Sequence, residues 1–470
     1  MNRWLKLLLC ICIPLAALLI PGEWIPIKNL SPVEHHLLAV FLLALMCWIL
    51  EPIPIFATSV MIIVLELLFL SDGGFTFVIQ QGAEYGNLLS YKSVMASFAH
   101  PIILLFLGGF FLATAATKYK LDVNLARAML KPFGSRPAFV MLGMMIITAV
   151  FSMFMSNTAT TALMLAIIIP VLRIFPEDDP GRIGMVLAVP FAANIGGLGT
   201  PIGTPPNAVA MKYLTGEMSI TFAGWMEFAV PYVVVLLFIC WGILNLFFSS
   251  KTKALIIDLP GAFEKSPRAV TVYITFIITI ILWLTGGRIG LNSYVTAMIP
   301  VLVFSVSGIL KAEDIRSLHW DILWLMAGGL ALGYGLEATG LSTHIIESVP
   351  FQSMHPLSVI LVSAGIAALM ATVMSHTATA NLILPITAAL GVSLPSLIPF
   401  GGTQMLILAT TFGCSIGMAL PISTPPNAMA FGTGMIQTKY MLKAGIVVEI
   451  IGFGLIFLLG IIMLRFGFFS

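Results

Sequence analysis

The sequence predicts an all-α polytopic membrane protein with eleven transmembrane helices plus two re-entrant hairpins, arranged as inverted repeats. Three observations predict it. Of 470 residues, 59% are hydrophobic and only 9% charged, and the mean hydropathy is +1.06. A water-soluble domain carries about 25% charged residues, so lipid must solvate much of this surface. Three polar or glycine-rich motifs also recur at a near-constant offset of 219 or 220 residues, the mark of an internal duplication. Finally, the polar motifs interrupt apolar segments, and broken backbone is tolerated at membrane depth only inside protein or beside a water-filled cavity.

Composition excludes several classes. A net charge of +2 makes no case for a nucleic-acid partner. The five cysteines (Cys10, Cys12, Cys47, Cys240 and Cys414) sit in apolar runs without paired spacing, which implies neither a disulfide framework nor a zinc site.

At the N-terminus, Arg3 and Lys6 precede the run Leu7 to Ile20, which resembles a signal peptide. Pro21-Gly22-Glu23-Trp24 follows in place of a small-residue cleavage site, so a retained first span is expected within 1–32. Apolar runs of about 17 or more residues mark spans at roughly 4–21, 33–50, 54–70, 97–116, 181–211, 225–248, 270–286, 292–310, 321–338, 404–431 and 443–466. The first repeat is expected over 33–250 and the second over 251–470. Two further stretches, roughly 137–172 and 356–392, are too long for one span and short for two, so each is read as a hairpin. The segments at roughly 181–211 and 404–431 carry a Thr-Pro-Pro-Asn motif. Proline lacks an N–H and disfavours helix in the residue before it, so both are expected to be broken helices.

Loop charges set the orientation. With a cytoplasmic N-terminus and both hairpins returning, 17 of the 22 Lys and Arg residues fall inside, Arg173 among them. Lys28, Lys92, Lys212, Arg288 and Arg465 fall outside. A hairpin that crossed once would erase this bias. The C-terminus is therefore expected outside an inner (plasma) membrane, with Ser135 at the cytoplasmic base of the first hairpin and Ser353 at the outer base of the second. The Gly108-Gly109 span then runs outside to inside and the Gly328-Gly329 span the other way, so the repeats are inverted and the hairpin tips can meet near the midplane.

The motifs carry the chemistry. Met155-Ser156-Asn157-Thr158-Ala159-Thr160 returns as Met374-Ser375-His376-Thr377-Ala378-Thr379, identical at five of six positions. Pro201-Ile202-Gly203-Thr204-Pro205-Pro206-Asn207-Ala208 returns as Pro421-Ile422-Ser423-Thr424-Pro425-Pro426-Asn427-Ala428. Free N–H groups where a new helix begins favour an anion. Thr204 and Thr424 add hydroxyls, and the unwound carbonyls beside them are hard ligands for a small cation such as Na⁺. No Lys or Arg lies in either hairpin core or either Pro-Pro segment. A dianion there finds no fixed cation, and an unpaired charge at membrane depth is expensive. Co-bound sodium would balance it. Capping and helix packing alone would explain one such motif, not two pairs; broken segments at matching places in two halves point to a transporter's site.

These residues resemble the divalent anion:sodium symporters, through the paired Ser-Asn-Thr-type motifs, both Thr-Pro-Pro-Asn segments, Trp48-x-x-Glu51-Pro52 and both Gly-Gly helices. The resemblance is full-length. It implies a homodimer with scaffold and transport domains, an elevator-type movement, and a small dianion held by Ser156, Asn157, Thr158 and Pro205 with Ser375, Thr377 and Pro425. It also implies one sodium near Ser152, Ser156, Asn157 and Gly203, and a second near Ser375, His376 and Ser423. His376 stands where Asn is usual and is counted among the substrate-site candidates. Ala371 stands where relatives place a hydroxyl, with Thr372 adjacent as a candidate ligand and Asn381 as a candidate replacement for the missing amide.

Glu66, Glu227, Glu337 and Glu449 lie in or near spans, where carboxylates are functional candidates. Lys118 to Lys131 suits an amphipathic helix on the inner interface. Gly413-Cys414-Ser415-Ile416-Gly417 fits G-x-S-x-G, but that motif needs a strand-to-helix elbow and here lies in an apolar helix, so its glycines read as packing positions and no enzyme is expected. Hydroxyls and N–H groups suit succinate, malate, fumarate, 2-oxoglutarate or sulfate alike. C4-dicarboxylates are favoured by the resemblance, with sodium:sulfate symport or sodium-independent dicarboxylate/2-oxoacid exchange as alternatives.

Overall fold

The computed structural model describes residues 3–75, 85–172, 175–255, 263–348, 351 and 354–469; Arg173 and Ser353 lie outside them. Apart from one isolated bridge between Ser71 and Leu89, the described residues are helical or irregular.

Helix α1 (Arg3–Leu19) packs on α2 (Pro32–Leu50). A capping box starts α2: Ser31 Oγ accepts from Glu34 N and Glu34 Oε2 from Ser31 N at 2.7 Å. It ends at Glu51, whose φ of +47° and following Pro52 make the sharp turn into α3 (Ile55–Phe69). Then come α4 (Tyr91–Ala96) and α5 (Pro101–Lys118). Helix α6 (Leu121–Leu130) lays its apolar face on α7 and is the helix expected between Lys118 and Lys131.

The first hairpin is α7 (Pro137–Phe154) and α8 (Asn157–Leu172), packed against each other. The first broken helix is α9 (Gly181–Gly197) and α10 (Pro205–Tyr213), followed by the long α11 (Phe222–Phe247). Four elements connect the halves: α12 (Pro267–Thr285), α13 (Ser293–Thr296), α14 (Met298–Val306) and α15 (Ala312–Arg316). The pattern of α5 to α11 then recurs in order: α16 (Trp320–Thr339), α17 (Leu341–Ser348), hairpin α18 (Pro356–Val373) and α19 (His376–Ser393), broken helix α20 (Gly402–Ile416) and α21 (Pro425–Gly432), and α22 (Thr438–Arg465).

Eight of the described helices are long and apolar enough to cross a membrane. Six are expected spans; the other two are the first arms of the hairpins, α7 and α18. The remaining expected spans coincide with the shorter α1 and α3, the paired α13 and α14, and the two broken helices.

The second part of each broken helix packs on the other half. Helix α10 lies on α19 and α20, and α21 lies on α8 and α9. Close approach needs glycine: Gly108 meets the Ala297 backbone, Gly328 meets Ser59, and Gly413 meets Ala364 O, leaving no room for a side chain. Gly413 is thus a packing position within α20, as its apolar surroundings imply. One outer-loop assignment is corrected. Lys212 ends α10 and turns inward, its Nζ donating to Leu330 O of α16 at 2.9 Å through the room left by Gly333.

Candidate functional site

Both hairpin tips and both helix breaks are N-caps. Met155 is extended (φ −128°, ψ 164°), and Ser156 Oγ then accepts from Ala159 N at 3.2 Å as α8 begins. Ser375 Oγ accepts from Ala378 N at 3.2 Å, and Thr424 Oγ1 from Asn427 N at 3.2 Å. Thr204 has the same extended backbone as Thr424 without a side-chain cap. Capping therefore occupies three of the four hydroxyls with one bond each, and other first-turn N–H groups remain free.

Those four helix starts line one cavity of about 510 Å³. Ser156, Asn157, Thr158, Gly203, Thr204 and Pro205 come from the first half, and Ser375, His376, Thr377, Ser423, Thr424 and Pro425 from the second. All ten substrate-site candidates are brought together. The facing wall includes Pro54 and Ile55 of the α3 entry, Phe106 and Phe110 of α5, and Ile322 and Leu325 of α16. Among the described lining residues none is Lys or Arg; the ionisable ones are His319, Asp321 and His376. Positive potential here comes from backbone. Each helix N-terminus is worth about half a unit charge, so four offer about two, the charge of a dianion. Helices α10 and α21 begin with two prolines, so the first-turn N–H donors come chiefly from α8 and α19.

The asparagines of the Pro-Pro-Asn motifs hold the unwound segments. Asn207 Nδ2 donates to Gly197 O, Leu198 O and Thr200 O at 3.1, 3.2 and 2.8 Å. Asn427 Nδ2 donates to Met418 O and Leu420 O at 2.8 and 2.9 Å. Asn194 of α9 joins the halves, its Nδ2 donating to Thr424 Oγ1 (3.2 Å) and Asn427 Oδ1 (3.0 Å). The sequence reading missed these three. Asn207 and Asn427 were signalled by their recurrence, whereas Asn194 has Cys414 at the matching place and gave no such signal.

An oxygen-lined cradle lies beside the first tip. Ser152 Oγ lies 2.5 Å from Asn157 Oδ1 and 2.7 Å from Ala193 O. A side chain at Gly197 would strike the Asn157 amide and Gly203 O, so glycine keeps that space open. The oxygens of Asn194 (Oδ1) and Asn207 (Oδ1) are buried without a hydrogen-bond partner. Hard oxygens in a tight shell suit a small cation. Ser152 does not line the main cavity; it stands behind Asn157.

The second tip is built differently. Gly417 O accepts from His376, so Nε2 carries a proton. Ser423 Oγ donates to Thr372 O at 2.6 Å. The Thr372 hydroxyl turns away from the cavity, lying 2.9 Å from Ala368 O and 3.2 Å from Glu449 Oε2. Asn381 is fully buried against Gly329 and donates to Leu325 O at 3.3 Å. Its Nδ2 is thus engaged by α16, while its Oδ1 is buried without a hydrogen-bond partner.

A smaller cavity of about 300 Å³ adjoins the main one through Phe110, Ser156 and His319 and reaches Lys118, which pairs with Asp314 at 2.5 Å.

Comparison with known proteins places this arrangement among transporters. The family profile described as sodium:sulfate symporter transmembrane region matches residues 1–466. The sodium-dependent dicarboxylate transporter SdcS of Staphylococcus saprophyticus is 30% identical over 465 residues, covering 90% of this chain and 85% of that protein. An uncharacterized transporter of Haemophilus influenzae is 30% identical over 384 residues, covering 78% and 81%. Two solved structures are similar in fold alone, each at a TM-score of 0.52. The YdaH transporter of Alcanivorax borkumensis is 14% identical and covers 80% of this chain and 88% of its own. MtrF of Neisseria gonorrhoeae is 11% identical and covers 87% and 94%.

Proposed function

The chain belongs to the sodium:sulfate symporter family, and from that premise we propose that it carries C4-dicarboxylates such as succinate, malate or fumarate into the cell, coupled to sodium. The observation that carries this reading is the convergence of four helix N-termini on a cavity whose described lining has no Lys or Arg. Such a site attracts a dianion by backbone dipoles and leaves the remaining charge balance to co-bound cations.

In this reading the substrate is held by Ser156, Asn157, Thr158, Thr204 and Pro205 with Ser375, His376, Thr377, Thr424 and Pro425. One sodium sits near Ser152, Ser156, Asn157 and Gly203, and a second near Thr372, Ser375, His376 and Ser423. Ser152 and Thr372 act from behind the cavity wall, Thr372 through its carbonyl. The repeats over 33–250 and 251–470 are inverted in the inner membrane, with the N-terminus inside and the C-terminus outside, and the protein works as a homodimer by an elevator movement.

Sodium-independent exchange of dicarboxylates or 2-oxoacids is the second reading, favoured by His376 in place of an amide and by the Thr372 hydroxyl facing away from the second tip. Uptake of radiolabelled succinate into proteoliposomes decides between them. Symport requires accumulation driven by an inward sodium gradient. Equal uptake without sodium, stimulated by internal dicarboxylate, would establish exchange, and uptake of sulfate in preference to succinate would reassign the substrate.

A further inference from the structure

Glu449 projects from α22 onto the unwound segment between α20 and α21. Its Oε1 accepts from Met418 N at 2.5 Å and Ala419 N at 2.6 Å, and its Oε2 faces the Thr372 hydroxyl. The atoms on either side belong to the second tip. Gly417 O accepts from His376, Thr372 O accepts from Ser423, and Met418 O accepts from Asn427. Among the described residues no salt bridge includes Glu449.

The first half has nothing comparable. The residue 220 positions earlier is Ala229, and α11 reaches the matching segment instead with Trp225, whose Nε1 donates to Leu198 O at 2.9 Å. One half is braced by a neutral indole and the other by a carboxylate. The half that has the carboxylate is also the half whose hairpin tip lacks an amide, since His376 replaces the counterpart of Asn157. An imidazole nitrogen is a poorer partner for a hard cation than an oxygen. An ionised carboxylate held one residue from Gly417 would raise the pull of that segment's carbonyls on any cation beside them.

We propose that Glu449 is the positioning residue of the second cation site, braced by the segment it supports and supplying the negative charge that lets this tip attract Na⁺ despite His376. The proposal rests on the sodium-symport reading. Its chemistry is electrostatic; Glu449 touches neither the cavity nor the substrate.

Glu449→Gln separates charge from bracing, because Gln Oε1 still accepts from both amides and its NH₂ donates to Thr372. Succinate uptake in proteoliposomes is measured against sodium concentration for both proteins. Alongside it, the rise in melting temperature of the purified protein on exchanging K⁺ for Na⁺ is recorded, a readout independent of transport. The expected result is an unchanged melting temperature in K⁺, a smaller sodium-induced rise, and a half-saturating sodium concentration higher by about tenfold or more. Adding His376→Asn to Glu449→Gln restores an oxygen ligand and brings that concentration back down. Should Glu449→Gln fail to fold, Glu449→Asp, whose shorter chain draws the charge back from the segment, carries the same comparison. Sodium-driven wild type with an unaltered sodium response in the variant overturns this inference alone; a wild type indifferent to sodium overturns the symport reading and this inference with it.

Discussion

Asn194 Nδ2 lies 3.0 Å from Asn427 Oδ1, and through this bond and a second to Thr424 Oγ1 at 3.2 Å the first broken helix holds the second. Both residues are buried, and Asn427 also fastens two carbonyls of its own unwound segment. Asn194→Leu leaves Thr424 Oγ1 and Asn427 Oδ1 short of a donor, at a cost of about 1–3 kcal/mol. A lower melting temperature in detergent and reduced uptake are expected. Wild-type values for both would show that the halves are held elsewhere.

The first tip is tested by Asn157→Ala and Thr158→Ala. Both side chains line the cavity, so each variant should remain monodisperse on size exclusion while uptake falls to background. Normal uptake in both would remove the first tip from the site.

Glycine packing supplies a paired test of stability. Gly329 lies against the Asn381 amide with no room for a methyl group, whereas Gly242 in α11 has nothing within 4 Å of where one would stand. Gly329→Ala should therefore destabilise by about 1–3 kcal/mol through overpacking. Gly242→Ala should be neutral or stabilising by up to ~1 kcal/mol from helix propensity. Melting temperatures moving in the same direction would contradict the packing described.

Asp179, outside the membrane-spanning segments, joins the loop before α9 to the segment after α11. It accepts from Gly181 N (2.8 Å), Thr252 N (2.9 Å), Thr252 Oγ1 (2.7 Å) and Lys251 N (3.1 Å). Burial alone would raise its carboxyl, but the hydrogen bonds from Thr252, Gly181 and Lys251 outweigh it and hold it below the ordinary Asp value. A carboxyl lowered on folding stabilises fully above its unfolded pKa of about 3.9 and loses that contribution as pH falls through the folded value. Asp179→Asn should therefore cost roughly 1.5–3 kcal/mol at pH 7, with the gap to wild type closing below about pH 4. A gap constant with pH would mean the charge contributes nothing.

Orientation can be read by labelling single cysteines in a background without the five native ones. Ser135→Cys, before α7, should react with an impermeant maleimide only from the cytoplasmic side, and Met354→Cys, before α18, only from outside. Both reacting from one side would refute the inverted arrangement.

The sequence by itself determined the helical class, the two hairpins, the two breaks and the polar residues at their tips. Apolar run length, proline chemistry and repeat spacing are local properties, so Ser156, Pro205, Ser375 and Pro425 could be found without coordinates. The tertiary structure alone decided which groups behind those tips face inward. Lys212 was counted to an outer loop because the order of the spans put it there, yet the room beside Gly333 lets it reach α16. Asn194 was invisible because the duplication kept no counterpart for it. The Thr372 hydroxyl stood near the second tip in sequence, but it turns back to Ala368 O of its own helix and to Glu449 of α22. Repeat spacing aligns two halves of one chain; it carries nothing about contacts made between those halves, because such contacts depend on which helix faces press together and which side chain reaches a partner first.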